Sequence, residues 1–115
     1  MGCPCEWGVA STSLITIEPH MLHRQLAQWI GEAVYVHLEV NPGAYWRNGQ
    51  ANLQRVHVKG DGPYRVFLEL AGQGLIHIDE VTHMTVADDL VTCTGYDDSN
   101  RLARTLEVSR KPFSL

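Results

Sequence analysis

Between residues 33 and 110 the chain alternates apolar and polar residues in short runs, and only a few residues separate one run from the next. A run with period two is a β-strand with one buried face. Gaps this short cannot hold the crossover that joins parallel neighbours, so the strands must pair antiparallel. The clearest run follows the turn Lys59-Gly60-Asp61-Gly62-Pro63. Gly60 and Gly62 admit backbone angles closed to other residues, and Asp61 bonds nearby N–H groups. Pro63 suits the first position of a strand. Tyr64, Val66, Leu68 and Leu70 then point one way, and Arg65, Phe67 and Glu69 the other.

The same alternation places Val34, Val36, Leu38 and Val40 opposite Tyr35, His37 and Glu39. Val56 and Val58 lie opposite Arg55, His57 and Lys59, and Ile76 and Ile78 opposite His77 and Asp79. Further strands are expected at 11–17, 82–86, 90–96 and 102–108. Asn41-Pro42-Gly43, Gly72-Gln73-Gly74 and residues 97–100 read as turns, and Asn48-Gly49 as a hairpin turn between a short piece at 44–47 and a strand at 51–59.

One segment has the helical period. Glu18 and Pro19 open it, and Leu22, Leu26, Trp29 and Ile30 share one face. Gly31 reads as a left-handed cap, giving a helix over about 19–30. Three turns of helix are marginal alone, so the apolar stripe must pack on the sheet. The expected fold is mainly β: a small, mostly antiparallel, barrel-like curled sheet of six or seven strands with one N-terminal helix packed on it. At 115 residues this is a single domain, with residues 1–12 as an unstructured arm and the β-rich part over 33–110.

Charge narrows the function classes. A net charge of −4 with nine Lys and Arg argues against nucleic-acid binding by bulk attraction. No apolar stretch reaches membrane-spanning length, and the N-terminus lacks a signal-peptide pattern, so a cytoplasmic location is expected. Three cysteines make no disulfide framework. Cys93 reads as a small buried hydrophobe. Cys3-Pro4-Cys5 supplies two thiolates, which do not fill a zinc shell.

The histidines offer one sharp reading. His37, His57 and His77 each sit mid-strand between apolar neighbours, twenty residues apart. The bland reading puts them on a solvated sheet face. If that face closes on itself, the three imidazoles would suit zinc, with Glu39 and Asp79 behind them. His20 and His23 also lie three apart on the helix. The cluster Glu80, His83, Asp88 and Asp89 is explained by solvation. Tyr45, Trp46, Tyr64 and Arg65 are candidate ligand-binding residues, the last two for an anion. The familiar metalloprotease, nucleophile-elbow, phosphate-loop and dinucleotide spacings do not occur.

Val34-Tyr35-Val36-His37-Leu38-Glu39, Gly43-Ala44-Tyr45, and above all Gly60-Asp61-Gly62-Pro63-Tyr64-Arg65 resemble the YojF-like family of small proteins from Bacillus-type bacteria. The glycine near the end, Gly95, and the terminal Pro112-Phe113 fit as well. The resemblance runs from Glu18 to Phe113. It implies a compact β-rich domain with an N-terminal helix and carries no catalytic residues. It also implies an accessory role beside a deacetylase-type enzyme. The reading that follows is a non-catalytic binding or accessory module, homodimeric through an exposed strand edge or the aromatic loops. The alternative is a metal-dependent protein using the three histidines.

Overall fold

The computed structural model describes residues 14–114. The Cys3-Pro4-Cys5 arm and the first residues of the expected strand at 11–17 lie outside them. Within them the order is β1 (Ile15–Thr16), α1 (Pro19–Ala27), β2 (Ala33–Val40), β3 (Ala44–Lys59), β4 (Tyr64–Leu70), β5 (Gly74–Val81), β6 (His83–Val86), β7 (Leu90–Tyr96) and β8 (Leu102–Ser109). The sheet has eight strands in the order β1-β6-β7-β8-β2-β3-β4-β5, rather than six or seven. Every pairing is antiparallel. It curls into a half-barrel around one core, as the short gaps require.

Most strand parities hold. Val34 and Val36 on β2, Val66, Leu68 and Leu70 on β4, and Ile76 and Ile78 on β5 are all buried. Cys93 is buried with Val91 on β7, and desolvation pushes its thiol up to about 12, which leaves it an inert core residue.

The helix is shorter than expected. Glu18 caps it by accepting from the His20 and Met21 N–H groups at 3.1 and 2.9 Å. It ends at Ala27, and Trp29 reaches the core from the following turn. Burying Leu22, Leu26 and Trp29 contributes on the order of 1.5–3 kcal/mol each, which offsets the weakness of a short helix. Ile30 is left 44% exposed, so it does not extend the apolar stripe. Gly31 does take a left-handed φ of 89°, but past the helix end, and its N–H donates to Leu53 O at 2.8 Å. His23, though exposed, reaches Val56 O through Nε2 at 3.1 Å. These bonds bind the helix and its exit turn to β3, where β2 no longer pairs with it.

The largest correction concerns Asn48-Gly49. They do not turn the chain: β3 runs unbroken through them for 16 residues. Opposite His37 alone, β3 places both Arg47 and Asn48, which is a bulge. Asn48 takes the extra residue in the left-handed region, φ 58°, which Asn tolerates better than most. Further register shifts occur in β3 near Gln54, in β5 opposite Arg65, and in β8 near Ala103. Bulges increase local twist, so this sheet bends rather than lying flat.

The curl brings β5 against β7 and β8. Arg104 of β8 pairs with Asp79 of β5 through Nη1 and Oδ1. A Cβ on Gly95 of β7 would sit inside van der Waals contact of the Glu80 carbonyl oxygen, so this crossing requires glycine. Gly95→Ala is expected to lower stability by about 2–3 kcal/mol, the ordinary scale for overpacking a closed contact. Urea denaturation checks this, and an unchanged midpoint would mean the crossing is not rigid.

Candidate functional site

The polar faces of the strands carry three separate constellations. The first surrounds His37, which is buried at 6% exposure although its face was expected to be solvated. Its Nε2 lies 3.1 Å from Glu39 Oε1, and its Nδ1 lies 3.1 Å from Arg47 Nη1. A guanidinium only donates, so the network assigns Nδ1 as acceptor and Nε2–H as donor. Asn41 Nδ2 also donates to Glu39 at 2.8 Å. That bond, more than the one from His37, holds the Glu39 carboxyl below its ordinary range.

The chain end closes this constellation. Asn48 accepts from Phe113 N–H at 2.7 Å and donates to Phe113 O at 2.9 Å. Arg47 donates from Nε to Ser114 O at 2.8 Å and stacks over the Phe113 ring, 4.9 Å from its centroid. Tyr45, 66% exposed, meets the imidazole edge-on at 5.1 Å. Phe113 pins the tail to β3. The sequence hid that the bulge at Asn48 is its seat, and that His37 would be buried beneath it.

The second constellation is a groove on the outer face of β3, β4 and β5. His57, Phe67 and His77 stand in register across the three strands. Phe67 and His77 stack nearly parallel, 4.4 Å between centroids at 4°. One step along the strands, Glu69 Oε2 accepts from His57 Nε2 at 2.6 Å. His57 Nδ1 has no partner among the described residues. Gln54, Leu70, Gly72, Gln73, Gly74 and Leu75 complete a groove of about 380 Å³. The bulge at Gln54 and the turn at Gly72-Gln73-Gly74 form its end wall; Gly72 and Gly74 both have positive φ. No Ser, Thr, Cys, Lys or Tyr lines it, so it offers no hydroxyl, thiol or amine nucleophile; its polar groups are His57, Glu69, Gln54 and Gln73.

The third is smaller. His83 Nδ1 lies 2.8 Å from Thr82 Oγ1, and its ring meets Tyr96 edge-on at 5.4 Å. Thr94 Oγ1 lies 3.3 Å from Tyr96 OH. These contacts join β6 to β7.

The three-imidazole zinc site is therefore corrected. His57 and His77 share a face but are two strand spacings apart, on the order of 10 Å, with Phe67 between them. His37 lies on β2, with both ring nitrogens engaged. Among the described residues no group of three or more His, Cys, Asp or Glu is placed to hold a metal ion. Tyr64 and Arg65 go to opposite faces: Tyr64 packs against the core and Arg65 is exposed. Tyr45 and Trp46 lie at the β2–β3 hairpin, where Trp46 covers Gly49. The groove was missed because its parts come from three strands and a turn. The shared parity of His57, Phe67 and Glu69 was its one legible signal.

Asn48 supports two independent predictions. Asn48→Ala removes both bonds to Phe113 and places alanine at positive φ, and should destabilise by about 2 kcal/mol. Asn48→Gly keeps the backbone and loses only the bonds, so its loss should be about half as large. Denaturation curves give both values, and equal losses would mean that the tail contact contributes all of the effect.

Comparison with known proteins agrees with this architecture. The chain is 30% identical to the Bacillus subtilis (strain 168) protein called "Uncharacterized protein YojF", over 78% of this chain and 90% of that one. The crystal structure of the Bacillus subtilis YojF protein superposes with a TM-score of 0.81, covering 90% of this chain and 99% of that one at 30% identity. The YojF-like resemblance and the curled β fold are both borne out. The family model "Protein of unknown function (DUF1806)" matches residues 16–113, nearly all of the described chain, and the protein belongs to that family.

Proposed function

We propose that the protein is a non-catalytic binding module, acting as an accessory component in the cytoplasm, and that the groove over β3, β4 and β5 is its ligand site. The observation that carries this reading is the His57–Glu69 pair, 2.6 Å apart at the rim of a groove floored by aromatic and aliphatic side chains. Concave, mostly apolar surfaces with a few convergent polar groups are what ligand sites look like. The lack of a hydroxyl, thiol or amine nucleophile in the lining supports binding over acyl-transfer chemistry.

A mixed set of small polar aromatic and aliphatic compounds, titrated while backbone NMR signals are followed, tests the reading. Ligands should perturb His57, Phe67, Glu69 and Gln73 before any other group of residues. Glu69→Gln should weaken the strongest of them while leaving the thermal midpoint within a few degrees. If every ligand maps elsewhere, or none binds, the groove is not the site.

Self-association has its own observation. Residues 44–52 of β3 pair with β2 on one edge and with no strand on the other among the described residues. That edge lies beside exposed Tyr45 and Trp46. Bare edges of this length are managed by cover or by pairing. A second copy pairing there predicts a concentration-dependent dimer in sedimentation equilibrium, weakened by a proline at Tyr45. A monomer at every concentration would remove this part of the reading.

A further inference from the structure

A positively charged ledge lies beside the groove, across the ring row from Glu69 and the 72–74 turn. Next to the His57–Phe67–His77 row on the same face, Lys59 and Arg65 stand directly opposite each other across β3 and β4. Both are exposed. Like charges directly opposite destabilise a strand pair, so their juxtaposition calls for a compensating anion. Neither makes an ion pair among the described residues. Of the acids nearby, Asp79, on β5 opposite Arg65, is taken by Arg104, and neither Glu80, which shares that bulge, nor Asp61 in the preceding turn forms an ion pair with either cation. Arg55 lies on the other side of the ring row, facing Glu69, which pairs with His57 instead. Three of the nine Lys and Arg of an acidic chain thus gather on one strand-pair face.

We propose that this face binds a planar heteroaromatic ring bearing an anionic group, a nucleoside 5′-monophosphate being the class it fits. This rests on the groove being the ligand site. The ring packs on Phe67, which lines the groove and whose opposite face is already stacked on His77. Glu69 accepts from ring N–H groups, and the free Nδ1 of His57 meets the ring edge. The ledge lies about 7 Å along the strands from the ring row, two residues of extended chain. That is the reach from a nucleobase across its ribose to the phosphate. Lys59 and Arg65 then hold the phosphate by charge-assisted bonds.

The test is an NMR titration of the full chain with purine and pyrimidine 5′-monophosphates, the matching nucleosides, inorganic phosphate and a single-stranded oligothymidylate octamer. At least one monophosphate should shift His57, Phe67, Lys59 and Arg65 together. It should bind about tenfold more tightly than its nucleoside or phosphate alone, as loss of a charged or stacking contact demands. Lys59→Ala with Arg65→Ala should cost about the same factor. Because the two cations repel, that variant should melt no lower than the parent, which separates lost binding from lost fold. Phe67→Leu should weaken nucleoside and monophosphate alike and leave phosphate unchanged.

Phosphate binding as well as the monophosphate would overturn the proposal, since the ring surface would then play no part. An octamer binding far more tightly than any monophosphate would replace the small ligand with a nucleic-acid strand. If no nucleotide binds while other compounds still map to the groove, the ligand class is wrong and the groove stands. If nothing maps to the groove, both fall.

Discussion

The rest of the molecule depends on the backbone ladder of β3. Its first half pairs with β2 and its second half with β4, so one strand belongs to both halves of the curl. The helix docks where β2 leaves it, through the Gly31 N–H to Leu53 O bond and the His23 bond to Val56 O. The groove starts at its second bulge and the tail seat at its first. An extended strand of 16 residues spans roughly 50 Å when straight, too long for a domain of this size. It must bend, and a bulge bends a strand with the loss of only local pairing.

That bend also separates the chemistry. His37 stands on β2, beside the first half of β3, and His57 on the second half of β3, beyond its bend. One is sealed under Phe113 and Arg47, and the other opens to solvent beside Glu69. Two imidazoles that each sit between apolar neighbours in the sequence acquire different roles, because burial and partners are set by neighbours in space. The sealed cluster gives the tail a fixed seat. The open one keeps an unpartnered nitrogen facing a groove.

Much of the fold was legible. Period-two alternation in 64–70 and 90–96 reports which side chains share a face, and face-sharing is local. Glu18-Pro19 marks a helix start because capping involves only adjacent N–H groups. The misreadings arose where a local signal had two tertiary uses. Asn48-Gly49 offers positive φ, which serves a hairpin turn or a bulge equally well. The partner strand β2 decides between them, because it continues past the site and keeps β3 in register on both sides. Leu102 shares the parity of Leu106 in the sequence but is 45% exposed, because the bulge before Arg104 flips its face.

By itself the sequence determined the class of fold, the helix, most strand faces and the family, since each rests on short-range pattern or on a contiguous motif such as Gly-Asp-Gly-Pro-Tyr-Arg. The tertiary structure alone decided the strand order, the burial of His37, and the assembly of His57, Phe67, Glu69 and the 72–74 turn into one groove. The physical reason is the same in each case. Alternation says which way a side chain points relative to its own strand, whereas bulges and curl decide what it meets there.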